Sequence, residues 1–145
     1  MIYGTPGGLP ADVMIPQAFG THALGIVGES AQGSGFGFLT TGLSGFYTTP
    51  AGASTLIASA PWYATNQGRV YAFSGHGPSA TTLGVGDATQ MVQGEASQYY
   101  GLASLQTLRN LPGLPTPTTV FGLPFYGSGR VHVRNGTTAN GPFAQ

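Results

Sequence analysis

Three short motifs occur twice in this chain, in the same order and 61 to 66 residues apart. Gly28-Glu29-Ser30-Ala31 is answered by Gly94-Glu95-Ala96-Ser97, and Ser59-Ala60-Pro61-Trp62-Tyr63 by Gly122-Leu123-Pro124-Phe125-Tyr126. Gly68-Arg69-Val70-Tyr71 is answered by Gly129-Arg130-Val131-His132. Ordered recurrence with small changes of spacing marks an internal duplication. Units of this length seldom bury their apolar faces alone, so stacking within the chain or between copies is the first expectation. The units fall at about 20–76 and 84–138 of one β domain covering 1–145, with 139–145 as a tail.

Inside each unit the local pattern is β. No long window free of Gly and Pro carries an apolar stripe at helical spacing. Candidate strands are 36–43, Thr55–Ala60 and Arg69–Ser74 in the first unit, and 99–105, Thr118–Leu123 and 130–134 in the second. Short strands near 25–28 and at Gln90–Gln93 close each unit. Along 69–74, Val70, Ala72 and Ser74 point away from the face that carries Tyr71 and Phe73. Gly75-His76-Gly77-Pro78 and Asn135-Gly136 supply turns, and Pro112-Gly113-Leu114-Pro115-Thr116-Pro117 is too rich in proline for a central strand. Ile2-Tyr3-Gly4 aligns with the end of the 69–74 strand, which predicts one extra N-terminal strand. The fold expected is all-β: two four-stranded antiparallel β-propeller-like blades plus that strand, leaving an open edge that must pair.

Composition narrows the functions open to such a chain. With 25 Gly and 11 Pro it is rich in turns, yet 41% apolar and 11% aromatic residues are enough to build a core. Only 6% of residues are charged, against about 25% in an ordinary domain. There is no lysine, and Arg69, Arg109, Arg130 and Arg134 balance Asp12, Glu29, Asp87 and Glu95 to a net charge of zero. Four scattered arginines make no basic face, which argues against nucleic acid as a partner. A weakly charged surface instead favours association. Cysteine is absent, so disulfides and thiolate metal sites do not arise. No apolar run is long enough for a transmembrane segment. Met1-Ile2-Tyr3-Gly4-Thr5-Pro6 lacks the regions of a signal peptide, so a secreted chain would be a mature form or a piece whose signal lies elsewhere.

The paired motifs resemble the FG-GAP repeat of integrin-α-type β-propellers. The aromatic-Gly openings are Phe36-Gly37 and Tyr100-Gly101, followed by Ser59-Ala60-Pro61 and Gly122-Leu123-Pro124. The strands after them are Gly68-Arg69-Val70-Tyr71-Ala72-Phe73 and Gly129-Arg130-Val131-His132-Val133. The resemblance covers about residues 2–138 and implies propeller blades in an extracellular or cell-adhesion setting. The family's aspartate-rich calcium loop is not carried over, because the corresponding stretches 43–55 and 108–118 contain no carboxylate. Glu95-Ala96-Ser97 before the aromatic-Gly opening is also similar to the last blades of the glycosylphosphatidylinositol-specific phospholipase D family. Hydrolysis there belongs to a separate zinc-dependent domain that nothing here matches, so only an accessory role could transfer.

Catalytic patterns are weak. His22, His76 and His132 lie in separate segments without the spacing of a zinc site. Serines, histidines, Asp12 and Asp87 exist, but no Gly-x-Ser-x-Gly elbow does. Gly33-Ser34-Gly35-Phe36-Gly37 lacks the Lys-Ser/Thr ending of a phosphate loop and reads as a tight strand opening. Glu29 and Glu95 occupy equivalent positions, which assigns them a shared structural task such as holding a turn or pairing with arginine. Arg69 and Arg130 read as packing or carbonyl-bonding residues. The candidate contact residues are Trp62, Tyr63, Phe125 and Tyr126, which follow equivalent prolines and could stack on sugar rings or anchor a protein partner. Asn135-Gly136-Thr137 is a possible N-glycosylation sequon. The expectation is a noncatalytic structural or adhesive extracellular protein, secreted, at the cell surface or virion-associated. It uses no cofactor and assembles with other copies or a larger partner. A carbohydrate-binding module, contacting a glycan, and an accessory propeller fragment of an extracellular hydrolase are the rival readings.

Overall fold

The structure, a computed structural model, describes residues 25–29, 33–43, 55–75, 82–108, 112–113, 118–136 and 143. The strands are β1 (Ile26–Val27), β2 (Thr40–Leu43), β3 (Thr55–Ala60), β4 (Arg69–Ser74), β5 (Leu83–Gly84), β6 (Gln90–Gln93), β7 (Leu105–Leu108), β8 (Thr118–Leu123) and β9 (Arg130–Asn135). They form a four-stranded sheet in the order β2-β3-β4-β6, a three-stranded sheet β7-β8-β9, and a short ribbon of β1 and β5. All pairs are antiparallel except β1 with β5. Among the described residues no helix is long and apolar enough to cross a membrane.

The duplication survives into the register. Thr55 faces Ser74 and Ala60 faces Arg69 across β3 and β4; Thr118 faces Asn135 and Leu123 faces Arg130 across β8 and β9. Leu43 opposite Thr55 is matched by Leu108 opposite Thr118. A one-residue slip would turn every side chain to the other face, so equal register keeps corresponding residues on the same face of the sheet in both units. Even the polar rungs correspond: Thr55 Oγ1 lies 2.8 Å from Ser74 Oγ, and Thr118 Oγ1 donates to Asn135 Oδ1 at 3.2 Å.

The segments before β2 and β7 are turns rather than the strand starts expected at 36–43 and 99–105. Gly33, Gly35 and Gly37 take φ of 80°, 68° and 82°, and their counterparts Ser97, Tyr99 and Gly101 take 61°, 50° and 80°. Alternate left-handed residues cannot join a ladder. The span Tyr63–Asn66 after β3 is likewise a tight turn, with Ala64 at φ 44° and Thr65 at φ 58°.

The two sheets stack. Ile57, Val70 and Ala72 of the first sheet share one buried cluster with Leu105, Phe121 and Leu123 of the second, with Tyr100 of the turn before it and with Phe143. On the other face of β4, Tyr71 and Phe73 join Ala60, with Ile26, Phe36, Val85 and Ala88 packed against them. The sequence alternation along β4 therefore separates two cores.

Two expectations need correction. Among the described residues the sheets have four, three and two strands rather than four and four, and no closed barrel or propeller forms. Gln90–Gln93, assigned by sequence to the second unit, pairs with β4 of the first sheet instead. That strand exchange ties the units together. The predicted strand at 2–4 lies outside the described residues.

Candidate surface of paired aromatic corners and an open sheet face

Pro61 and Pro124 end β3 and β8, and the two residues after each form a corner. In both corners the first ring points outward and the second packs inward. Trp62 is partly exposed and meets Phe38 edge-on with ring centroids 4.9 Å apart; Phe125 meets Tyr99 in the same way at 5.1 Å. Tyr63 packs on the Tyr71 and Phe73 cluster, while Tyr126 packs on the cluster between the sheets. The Trp62 ring fits because its neighbour is Gly35, where a Cβ would lie 2.1 Å from it. The equivalent of Gly35 is Tyr99, which the smaller Phe125 ring accommodates. Phe38 and Tyr99 were missed by sequence reasoning, because their contacts depend on the left-handed turns.

Each inward tyrosine carries an arginine. The Arg69 guanidinium carbon lies 3.5 Å from the Tyr63 ring centre, and that of Arg130 lies 4.5 Å from Tyr126. Such contacts are worth about 0.5–2 kcal/mol depending on exposure. Arg69 also donates from Nε to Gln93 Oε1 at 2.6 Å and pairs with Glu29 at 3.4 Å. Gln93 in turn bonds Gln67. Burial pushes the Glu29 carboxyl above its ordinary pKa, against the opposing charge of Arg69 and the Ser34 hydroxyl. Glu95, its equivalent, holds a turn: its N–H donates to Gln98 Oε1 at 2.9 Å, and its Oε2 accepts from Gln98 Nε2 at 3.1 Å. The two glutamates thus divide the tasks expected of them, one pairing with arginine and the other fixing a loop.

Among the described residues nothing covers the outer face of the second sheet. Val131 and Val133 of β9 are 65% and 56% exposed, whereas Val70 and Ala72 at the same places in β4 are 0% exposed. A groove of about 360 Å³ opens beside Val131, lined by Ala103, Gly122, Pro124, Gly129 and Arg130. Among the described residues β9 has β8 as its one neighbouring strand. Asn135 is exposed at the end of β9, as a sequon asparagine requires, with Thr137 outside the described residues.

His132 stacks edge-on against Tyr100 at 5.6 Å, and His22 and His76 lie outside the described residues. Among the described residues no group of three or more His, Cys, Asp or Glu could hold a metal ion.

What the fold and this surface define is an all-β chain of two stacked, duplicated antiparallel sheets. No family model, curated protein or solved structure matches the chain.

Proposed function

We propose that this chain is a noncatalytic structural or adhesive protein, working outside the cell or in a virion-associated assembly, and that it acts by joining other copies or a larger partner. The observation that carries the reading is the contrast along the duplicated strand: Val70 and Ala72 are covered by the next sheet, whereas among the described residues nothing covers Val131 and Val133. Burying apolar area of this kind contributes roughly 25 cal/mol per Å². With 6% charged residues, little opposes contact between copies. The FG-GAP-like motifs support the extracellular setting by resemblance, and blades of that kind stack face to face. Size-exclusion chromatography with light scattering on the full chain tests it. A species larger than the monomer is expected at micromolar concentration, and a folded monomer there removes the reading.

Exposed, repeated ring pairs favour one alternative, a carbohydrate-binding module. Trp62 with Phe38 and Phe125 with Tyr99 offer two ring pairs with exposed aromatic surface of the kind that stacks on sugars. Glycan-array binding lost in Trp62→Ala, with circular dichroism unchanged, would support it; no signal on a broad array would exclude it.

A further inference from the structure

The join between the two units works as a plug in a socket. Tyr99 N–H donates to the Asn66 carbonyl at 2.8 Å, Tyr100 N–H to the Gln67 carbonyl at 3.1 Å, and Gly94 N–H to the Gly68 carbonyl at 3.0 Å. Gly101 then passes so close to the first sheet that a Cβ on it would stand 2.8 Å from Val70 Cγ2 and 2.9 Å from Ser59 Cβ. A Cβ on Gly68 would stand 2.2 Å from the Tyr100 nitrogen. Only glycine allows this approach.

Both halves of that join recur in the two units, the plug before β2 and the socket on β8 and β9. Phe36-Gly37 is the equivalent plug, held to its own sheet by the Gly37 N–H donating to the Ser59 carbonyl at 2.8 Å; Gly37 has the same left-handed conformation at φ 82°, and among the described residues nothing stands within 4 Å of a Cβ built on it. The groove on the second sheet is the equivalent socket. Gly122 and Val131 occupy there the places of Ser59 and Val70; a Cβ on Gly122 would stand 2.9 Å from Ala103 Cβ of its own unit, whereas among the described residues a Cβ on Gly129, in the place of Gly68, meets only the Pro124 carbonyl oxygen at 3.6 Å.

We propose that the groove at Gly122, Gly129 and Val131 receives the Phe36-Gly37 turn of a second copy of this chain, so that copies join head to tail. This rests on the assembly reading and names its interface. The occupant follows from the chain itself, since the same groove in the first unit is filled by the same kind of turn. Unlike ends meet, so the contact generates a ring or a filament rather than a two-fold dimer.

Two substitutions separate the ends. Gly37→Asn keeps a residue that tolerates the left-handed region and places its Cβ in open space within one copy. In the join that Cβ collides with the groove. Val131→Glu puts a charge into the groove at a position already exposed. Light scattering is expected to show each variant alone as a monomer, and an equal mixture as a 1:1 dimer that grows no further, one sound plug meeting one sound socket. Variants that assemble like the wild type overturn the interface while leaving the assembly reading intact. Monomeric variants that fail to pair when mixed overturn the head-to-tail order and favour like ends meeting. A monomeric wild type removes both. If Gly37→Asn misfolds, Val131→Glu added in small proportion to wild type is expected to terminate and shorten assemblies, and unchanged assembly size refutes the proposal.

Discussion

Two glycines in the same conformation should respond differently to a methyl group. Gly101→Ala adds a Cβ against Val70 and Ser59 as well as left-handed strain, for a loss of about 2–4 kcal/mol. Gly37→Ala carries the strain alone, about 1 kcal/mol. Urea denaturation of both variants checks the ratio, and equal losses would mean that Gly101 is not pressed between the sheets. Glu29 makes a pH prediction. Its folded pKa is raised by burial, so the folded chain holds the proton more tightly than the unfolded one. Its contribution to stability is fully present below the ordinary carboxylate pKa and is lost as pH rises through the raised value. Glu29→Gln removes that loss, so denaturation midpoints should fall less for the variant than for wild type between acid and neutral pH. The opposite order would show the Arg69 pair dominating instead.

Strands were legible where the alternation was honest. Thr55–Ala60, Arg69–Ser74, Gln90–Gln93 and Thr118–Leu123 have the bounds read from sequence, because each is a short run with apolar or β-branched residues that contains no proline and lies between turn-rich stretches. The stretches 36–39 and 99–103 imitate that alternation, but their period of two comes from left-handed backbone at every second residue. The partner of β6 was hidden for another reason: strand exchange is a long-range choice that local pattern does not encode. At the site, Trp62 and Phe125 were found and their ring partners Phe38 and Tyr99 were not. Val131 and Val133 carried a readable signal, apolar residues aligned with Val70 and Ala72, whose meaning depends on seeing which sheet covers which. The same geometry sets element-scale energetics. Phe121→Ala empties a fully buried place between the sheets and should cost about 3–5 kcal/mol. Val133→Ala on the exposed face should change stability by no more than about 0.5 kcal/mol. Guanidinium melts of the pair test whether β8, rather than β9, holds the core.

Scarcity of charge shapes the whole molecule. Interfaces steered by ions weaken as salt screens them, over about 30 Å at 0.01 M and about 3 Å at 1 M. Among the described residues the groove beside Val131 contains a single charged side chain, Arg130, which already lies over Tyr126. Assembly should therefore persist or strengthen across that salt range, as light scattering in the two buffers would reveal; dissociation at high salt would point to an ionic interface elsewhere. The sheets themselves have a further consequence. Phe121 and Leu123 have no complete interior without Ile57, Val70 and Ala72, and β6 of the later half is a strand of the earlier one. Neither half can be an independent folding unit despite the gene-duplication pattern. Heating should thus give one calorimetric peak rather than two, and a chain nicked between the halves should lose both at the same temperature.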